Sequence, residues 1–393
     1  MRLQPENRDR TPHAGLYIHI PFCIRKCPYC DFYSTTDLRE TEGFVDALLQ
    51  ELHLATIPDV AFDTIYIGGG TPSLLTASQL TRILQGAHGR FGFTQDVEVT
   101  MEINPGTVSL DSLKAFVEGG VNRVSLGVQS FDNQQLEFLG RLHSAEEARQ
   151  AVYIAREAGI ENLGFDLIYG IPNQTPGGWL KDLKEAVSYE PEHVSCYMLT
   201  YEEGTPLDEW RKTGRFQPLD EDGVRNLFQV TVDFLKEAGY EQYEVSNFAR
   251  GEAFRSRHNQ KYWCHAPYLG FGPSAHSFVE PKRWWNHRHL DKYLQMLQHG
   301  ESPVEGVEEL NENQLMLETL FLGLRTCRGI ETLQFKRRYG VDFFDRFRPV
   351  FESLEAQGLV SLSFDRCALT MEGMLLSDTV TGMFADHMDH VSE

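Results

Sequence analysis

Three cysteines fall within eight residues, in the run Cys23-Ile-Arg-Lys-Cys27-Pro-Tyr-Cys30. Three thiolates on one short loop can hold three irons of a [4Fe–4S] cluster, which usually takes four cysteines. A missing fourth ligand leaves one iron open to a further molecule. Zinc is the competing metal, but no fourth Cys or His stands at finger spacing. His19, four residues before Cys23, belongs to a strand-like run. A buried structural trio is the remaining alternative. Cys196, Cys264, Cys327 and Cys367 are scattered singly, and Cys196, Cys327 and Cys367 read as core residues. Seven cysteines at uneven spacing do not make a disulfide framework, so the tight trio points to metal or redox chemistry in a reducing compartment.

The elements that must position this loop form a repeating rhythm. From about residue 15 to 250, strand-like runs alternate with helical ones. The strand-like runs are LYIHI (16–20), TIYIGGG (64–70), EVTMEIN (98–104), RVSLGVQ (123–129), NLGFDLIYGI (162–171) and HVSCYML (193–199). Helical patterns lie between them, and another is predicted over 224–239. Such alternation implies βαβ units and a parallel sheet. Six units predict an α/β fold with an open or partial (β/α)6 barrel, whose active site forms at the carboxyl ends of the strands. Gly68-Gly69-Gly70-Thr71-Pro72, Glu102, Asn104 and Gln129 stand at those ends, and Asp166 lies within the fifth strand. Each alone reads equally as a turn residue; their recurrence at one end of successive strands favours a site.

After residue 250 the rhythm changes. RSRHNQKYWCHAPYLGFGPSAHSF is rich in His, Gly and aromatics without a clear period. A helix is expected around HLDKYLQMLQHG, then three short helices and a hairpin with a final turn. The organisation expected is an N-terminal extension (1–15), the barrel (16–250), a connecting segment (251–304) and a smaller, mostly helical, winged-helix-like C-terminal domain (305–393). A packing or partner role suits that domain better than DNA binding, because no recognition helix concentrates basic residues. The formal charge of −21 also opposes nucleic-acid binding. No apolar run is long enough to span a bilayer, and MRLQPENRDRTPHAG holds no signal core; a cytoplasmic location is expected.

Cys-x3-Cys-x2-Cys after a first strand, with Tyr29 before the third cysteine, resembles the radical S-adenosylmethionine superfamily. The accompanying segments YIHIPFC, YIGGGTPSLL, EINPGTV, NRVSLGVQSFDNQQLEFLGRLH, GFDLIYGIP and YEVSNFAR resemble the oxygen-independent coproporphyrinogen III oxidase-like family across nearly the whole chain. The pattern is most similar to its HemW haem chaperone branch. Oxidases of the family carry a further cysteine where Phe32 stands here. They also carry a longer segment before the first strand, whereas only sixteen residues precede Tyr17 here. His258-Asn259-Gln260-Lys261-Tyr262-Trp263 matches the His-Asn-x-x-Tyr-Trp motif of the chaperone branch.

The resemblance implies roles. Cys23, Cys27 and Cys30 would bind three irons, and S-adenosylmethionine would chelate the fourth through its amino and carboxylate groups. Tyr17 and Tyr29 would pack near the cofactor, Gly69, Gly70 and Thr71 would line its amino group, and Glu102 would contact it. Gln129, Arg141 and Asp166 match positions that meet a second S-adenosylmethionine in the oxidases. An electron from the cluster would cleave the sulfonium to a 5′-deoxyadenosyl radical. For haem, His258 is the first axial candidate, with Tyr262 and Trp263 as walls and Arg255, Arg257 and Lys261 for the propionates. Cys264 and His276 are weaker ligand candidates. The alternative for His258 is a hydrogen-bonded junction between domains. The partners implied are haem, a haem-acceptor protein and a reductant for the cluster. Decarboxylation of coproporphyrinogen III is the competing activity.

Overall fold

The computed structural model describes residues 13–392; most of the extension expected at 1–15 lies outside the described residues. The predicted strands form β1 (Ala14–Ile20), β2 (Phe62–Gly69), β3 (Phe93–Ile103), β4 (Arg123–Gln129), β5 (Asn162–Tyr169) and β6 (His193–Met198). They pair in chain order, each parallel to the next. Helices cross between them and bury apolar faces against the outside of the sheet, as in Thr41–Leu54, Ala77–Arg90 and Ala145–Glu157. Ser or Thr caps start many of these helices, with reciprocal capping boxes at Thr76–Gln79 and Ser144–Glu147 that satisfy the free N–H groups of the first turn. The architecture is the expected partial α/β barrel.

The stretch expected merely to connect the domains instead widens the sheet. After the short edge strands β7 (Glu241–Gln242) and β8 (Asn247–Ala249), the chain forms β9 (Tyr268–Phe271), β10 (His276–Val279), β11 (Lys282–Asn286) and β12 (Val304–Glu309). The main sheet runs β12-β11-β10-β9-β1-β2-β3-β4-β5-β6-β8-β7, with β9 parallel to β1 and β10 to β12 antiparallel. Strands this short carry no period visible in sequence, because two pairs of alternating residues do not distinguish strand from loop.

The C-terminal unit is mostly helical around β13 (Ile330–Glu331), β14 (Val360–Ser363) and β15 (Arg366–Leu369), in the order β13-β15-β14. Phe335, Phe343, Phe347 and Phe384 pack ring to ring at its centre. The predicted final turn is two helices, Met371–Leu375 and Ser377–Ser392. Glu318 joins this unit to the barrel side by accepting from Arg283 at 2.7 Å and pairing with His265 at 2.9 Å.

One buried carboxylate ties the barrel to its extension. Glu51, on the helix Thr41–Leu54, accepts from Gly272 N–H (2.8 Å), Asn286 Nδ2 (2.5 Å) and Tyr293 O–H (2.6 Å). Burial pushes its carboxyl up to about 7. Glu51→Ala removes the acceptor from three buried donors, and each orphaned donor costs about 1–3 kcal/mol. Denaturant unfolding is expected to show a loss of roughly 3 kcal/mol or more; a loss below about 1 kcal/mol contradicts this role.

Candidate active site

The cysteine loop leaves β1 at the carboxyl edge of the sheet and is fastened from several sides. Thr71 N–H donates to Phe22 O (2.7 Å) and Gly70 N–H to Ile20 O (2.8 Å). Cys23 N–H donates to Thr35 O, and Leu207 N–H reaches Pro28 O. Arg25 donates to the carbonyls of Gly140 and Arg141. Gly70 is required here: a Cβ would stand 2.7 Å from Phe22 O and 2.8 Å from Ile20 O. Tyr29 anchors the loop in a small core with Leu139, Ile168, Ile171 and Leu207.

The sulfurs meet a hydrogen-bond chain built from the strand ends. Thr71 Oγ1 donates to Cys23 Sγ (3.5 Å) and accepts from Asn104 Nδ2 (2.9 Å). Asn104 Oδ1 accepts from Arg141 Nη2 (2.5 Å), and Arg141 Nη1 donates to Cys27 Sγ (3.7 Å). Arg141 also donates to Gly127 O, and its buried Nε has no partner among the described residues. Burial pushes the Cys30 thiol up to about 11, with the nearby Cys27 and Cys23 adding to the rise.

All three cysteines are free and partly accessible. Among the described residues no three His, Cys, Asp or Glu side chains gather around a single ion. Zinc draws its ligands to one centre, with sulfurs about 2.3 Å from the metal, whereas a cubane takes each thiolate at a separate corner. Three neighbouring sulfurs without a fourth protein ligand therefore fit a [4Fe–4S] cluster better than zinc.

Below the loop the barrel interior is polar. Alternate residues of each strand point inward: Tyr17 and His19, Thr64 and Tyr66, Thr100 and Glu102, Ser125, Asp166, Ser195 and Tyr197. Glu102 accepts from Tyr66 O–H (2.8 Å) and Gly69 N–H (3.1 Å). Asp166 accepts from Ser125 Oγ at 3.0 Å to both oxygens, and burial raises its carboxyl above the usual range. Tyr17 O–H bonds His19 Nδ1 at 3.0 Å. Tyr17, Tyr66, Glu102 and Asp166 are only half-buried, so solvent reaches them. Gln129 ends β4 with φ 67°, a left-handed backbone unusual for a residue with a side chain, where the β4–β5 register shifts.

The structure thus brings Cys23, Cys27, Thr71, Asn104 and Arg141 together, with Gly69, Glu102, Tyr17 and Asp166 below them. Sequence reading placed no role on Tyr66, Ser125 or Ser195. The signal that could have found them is strict alternation of polar residues in runs that otherwise read as buried strands.

His258, the first haem-ligand candidate of the sequence, lies away from the cysteine loop. It lies on the helix Arg257–Trp263, only 1% exposed, at the opposite end of the strands from the cysteines. Nδ1 bonds Thr64 Oγ1 (2.8 Å), Nε2 bonds Tyr262 O–H (2.9 Å), and the ring stacks on Tyr66 at 5.1 Å. Burial lowers its pKa to about 3. Both of its ring nitrogens are engaged in hydrogen bonds. The cations expected for propionates are also committed: Lys261 to Asp63, Arg257 to Asp96 and Arg255 to Glu241. Trp263 stacks under Arg325 instead of walling a slot. This helix packs at the amino ends of β1 and β2, where His258 bonds Thr64 and Lys261 pairs with Asp63.

The comparisons agree with the fold and with the loop. The radical SAM superfamily matches residues 17–186, and the HemN C-terminal domain matches 310–376. The chain is 34% identical to the heme chaperone HemW of Escherichia coli, covering 95% of this chain and 99% of that protein. It is 33% identical to the HemW of Bacillus subtilis, covering 94% and 98%. The solved coproporphyrinogen III oxidase (HemN) of Escherichia coli, described as a radical SAM enzyme, superposes with a TM-score of 0.82 at 25% identity, covering 95% of this chain and 90% of that one. Fold and cysteine loop define a protein of the radical SAM class. Within it, the chain belongs to the HemN-like HemW family.

Glu102 gives a test in the apoprotein. Burial, with the Asp166 charge adding, pushes its carboxyl up to about 7 against the Tyr66 and Gly69 hydrogen bonds, from about 4.3 in an unfolded chain. Between these values the folded state holds a proton that the unfolded state has lost, so stability falls as pH rises through that window and is flat above it. Glu102→Gln removes this dependence. Its stability relative to wild type is expected to rise by about 1–3 kcal/mol between pH 4.5 and 7.5, the solvent in the barrel reducing the full shift. Urea unfolding across this range checks it; a pH-independent difference contradicts it.

Proposed function

We propose that this protein is a cytoplasmic haem chaperone that carries a [4Fe–4S] cluster and S-adenosylmethionine, binds haem and passes it to an acceptor protein. The observation that carries the reading is the three-cysteine loop without a fourth ligand, held at the mouth of a polar barrel, in a chain whose full-length relatives are named heme chaperones. Among the described residues no helix is long and apolar enough to cross a membrane.

The residues divide the work. Cys23, Cys27 and Cys30 would hold the cluster. The carbonyl-fixed Gly69-Gly70-Thr71 turn and Glu102 would receive the amino and ribose groups of S-adenosylmethionine, with Tyr17 and Tyr29 beside it. Arg141 supplies a fixed cation for a carboxylate and donates to Cys27 Sγ. Gln129 and Arg141 at the strand ends, with Asp166 below them on β5, are the residues proposed for a second S-adenosylmethionine. When bound, the reduced cluster supplies an electron able to cleave the sulfonium, so a reductant is a required partner. The protein's contribution is to orient the nucleotide and to close the barrel floor with His258 and Tyr262. His258 is also the first histidine proposed for haem.

Anaerobic titration of ferric haem into the reconstituted full chain tests this function. The expected result is saturation at about one haem per chain, followed by loss of the bound spectrum on adding an apo-acceptor. Formation of vinyl products from coproporphyrinogen III with reductant and S-adenosylmethionine, without stoichiometric haem binding, would replace the chaperone reading with the oxidase reading.

A further inference from the structure

The main sheet ends differently on its two sides. On one side the last strand is β7, only two residues long. On the other it is β12, six residues long, and among the described residues no strand lies beyond it. The inner edge of β12 belongs to β11. Leu310 N–H donates to Pro281 O (2.9 Å), and Glu308 and Gly306 stand opposite Arg283 and Trp285. Backbone direction alternates along an antiparallel strand, so the N–H and C=O groups of Val307 and Glu309 point away from β11. They form a template on which a further strand can pair.

Charge selects what can use this template. Glu301, Glu305, Glu308, Glu309 and Glu312 fall within twelve residues that hold no lysine or arginine. The basic groups near them are loosely placed: Lys282 Nζ lies 3.8 Å from Glu309, Arg283 Nη1 4.0 Å from Glu308 and His287 Nδ1 3.3 Å from Glu305. Arg283 is held more closely by Glu318, at 2.7 Å. A second copy of this edge would set carboxylate against carboxylate, which opposes pairing. A basic strand meets the opposite sign.

The side chains on one face of the edge are apolar. Val307, 63% exposed, stands directly opposite Trp284. Next to them a cavity of about 430 Å³ lies between Leu54, Phe271 and Trp284 and the start of β12 at Ser302, Pro303 and Val304. A hollow of this size, mostly apolar with a few polar groups, has room for one bulky side chain.

We infer that an extended, lysine- or arginine-rich segment of a partner protein adds to the sheet along β12, with one large apolar side chain seated in the cavity beside Trp284. Main-chain hydrogen bonds to Val307 and Glu309 hold the segment, its cations meet the glutamates, and its alternate apolar side chains cover Val307 and Trp284. The inference goes beyond the haem-carrier reading and does not depend on it, because it involves neither cluster, nucleotide nor haem.

A fluorescein-labelled peptide of about eight residues, alternating lysine and valine and ending in phenylalanine, tests it when titrated into the full chain and read by fluorescence anisotropy. Saturable binding is expected, weakening as salt screens the charges. Val307→Pro removes an outward N–H that β11 does not use, a change that edge strands tolerate, and is expected to weaken binding about tenfold or more. Glu305→Lys combined with Glu309→Lys alters only exposed side chains and is expected to do the same, which keeps the test open should the proline disturb the edge. Far-UV circular dichroism checks the fold of each variant. A peptide of equal charge with two valines replaced by proline cannot pair as a strand. If it binds as tightly as the parent, or if Val307→Pro binds like wild type, strand addition is overturned. Alanine in place of the phenylalanine is expected to weaken binding, and equal affinity overturns the seat beside Trp284. Absence of saturable binding to wild type overturns the whole inference and leaves the haem-carrier function standing.

Discussion

A continuous chain of hydrogen bonds runs from Cys27 Sγ through Arg141, Asn104 and Thr71 to Cys23 Sγ. It is the constraint on which the rest depends. Asn104 follows β3, Thr71 follows β2 and Arg141 follows the short helix after β4, so the chain binds the cysteine loop to the carboxyl edge of three parallel strands. Sulfurs that accept N–H and O–H bonds are stabilised as thiolates, the form that binds iron. Cys30, which the chain does not reach, is the thiol that burial and its two neighbours push up.

The barrel below serves that edge in an unusual way for a parallel sheet. Its outside is apolar and covered by helices, while its inside carries Glu102, Asp166, tyrosines and serines in place of a packed core. Such an interior needs either solvent or a polar guest to satisfy it. The open mouth admits both, and the floor admits neither: Lys261 and Asp63, with His258 bonded between Thr64 and Tyr262, fill it. The polar lumen thus lies between the cysteine loop at one end of the strands and the His258 helix at the other.

Much of this was legible in the sequence. The six strands were readable because their apolar runs are flanked by glycine and capped helices, and RVSLGVQ forms a strand over the predicted residues. The cysteine loop was readable from spacing alone, and Glu102 and Arg141 from the segments that resemble the family. The widened sheet was not, because β9 to β11 are four or five residues each and are placed by contacts far apart in sequence, such as Glu51 with Gly272 and Asn286. The surroundings of His258 were not legible for a related reason. Residue types show that an imidazole stands beside a tyrosine and a tryptophan, but whether its nitrogens face solvent or Thr64 depends on a contact 194 positions away in the chain.

The central claim is that the three sulfurs hold an iron cube with one corner free for S-adenosylmethionine. Mössbauer spectroscopy of the full chain reconstituted with ⁵⁷Fe, before and after addition of S-adenosylmethionine, tests it most directly. The account predicts four irons per chain as a [4Fe–4S] cluster, with one iron changing its isomer shift and quadrupole splitting when the nucleotide is added. A spectrum in which all irons stay unchanged, or a chain that takes up a single tetrahedral metal instead of a cluster, would contradict it.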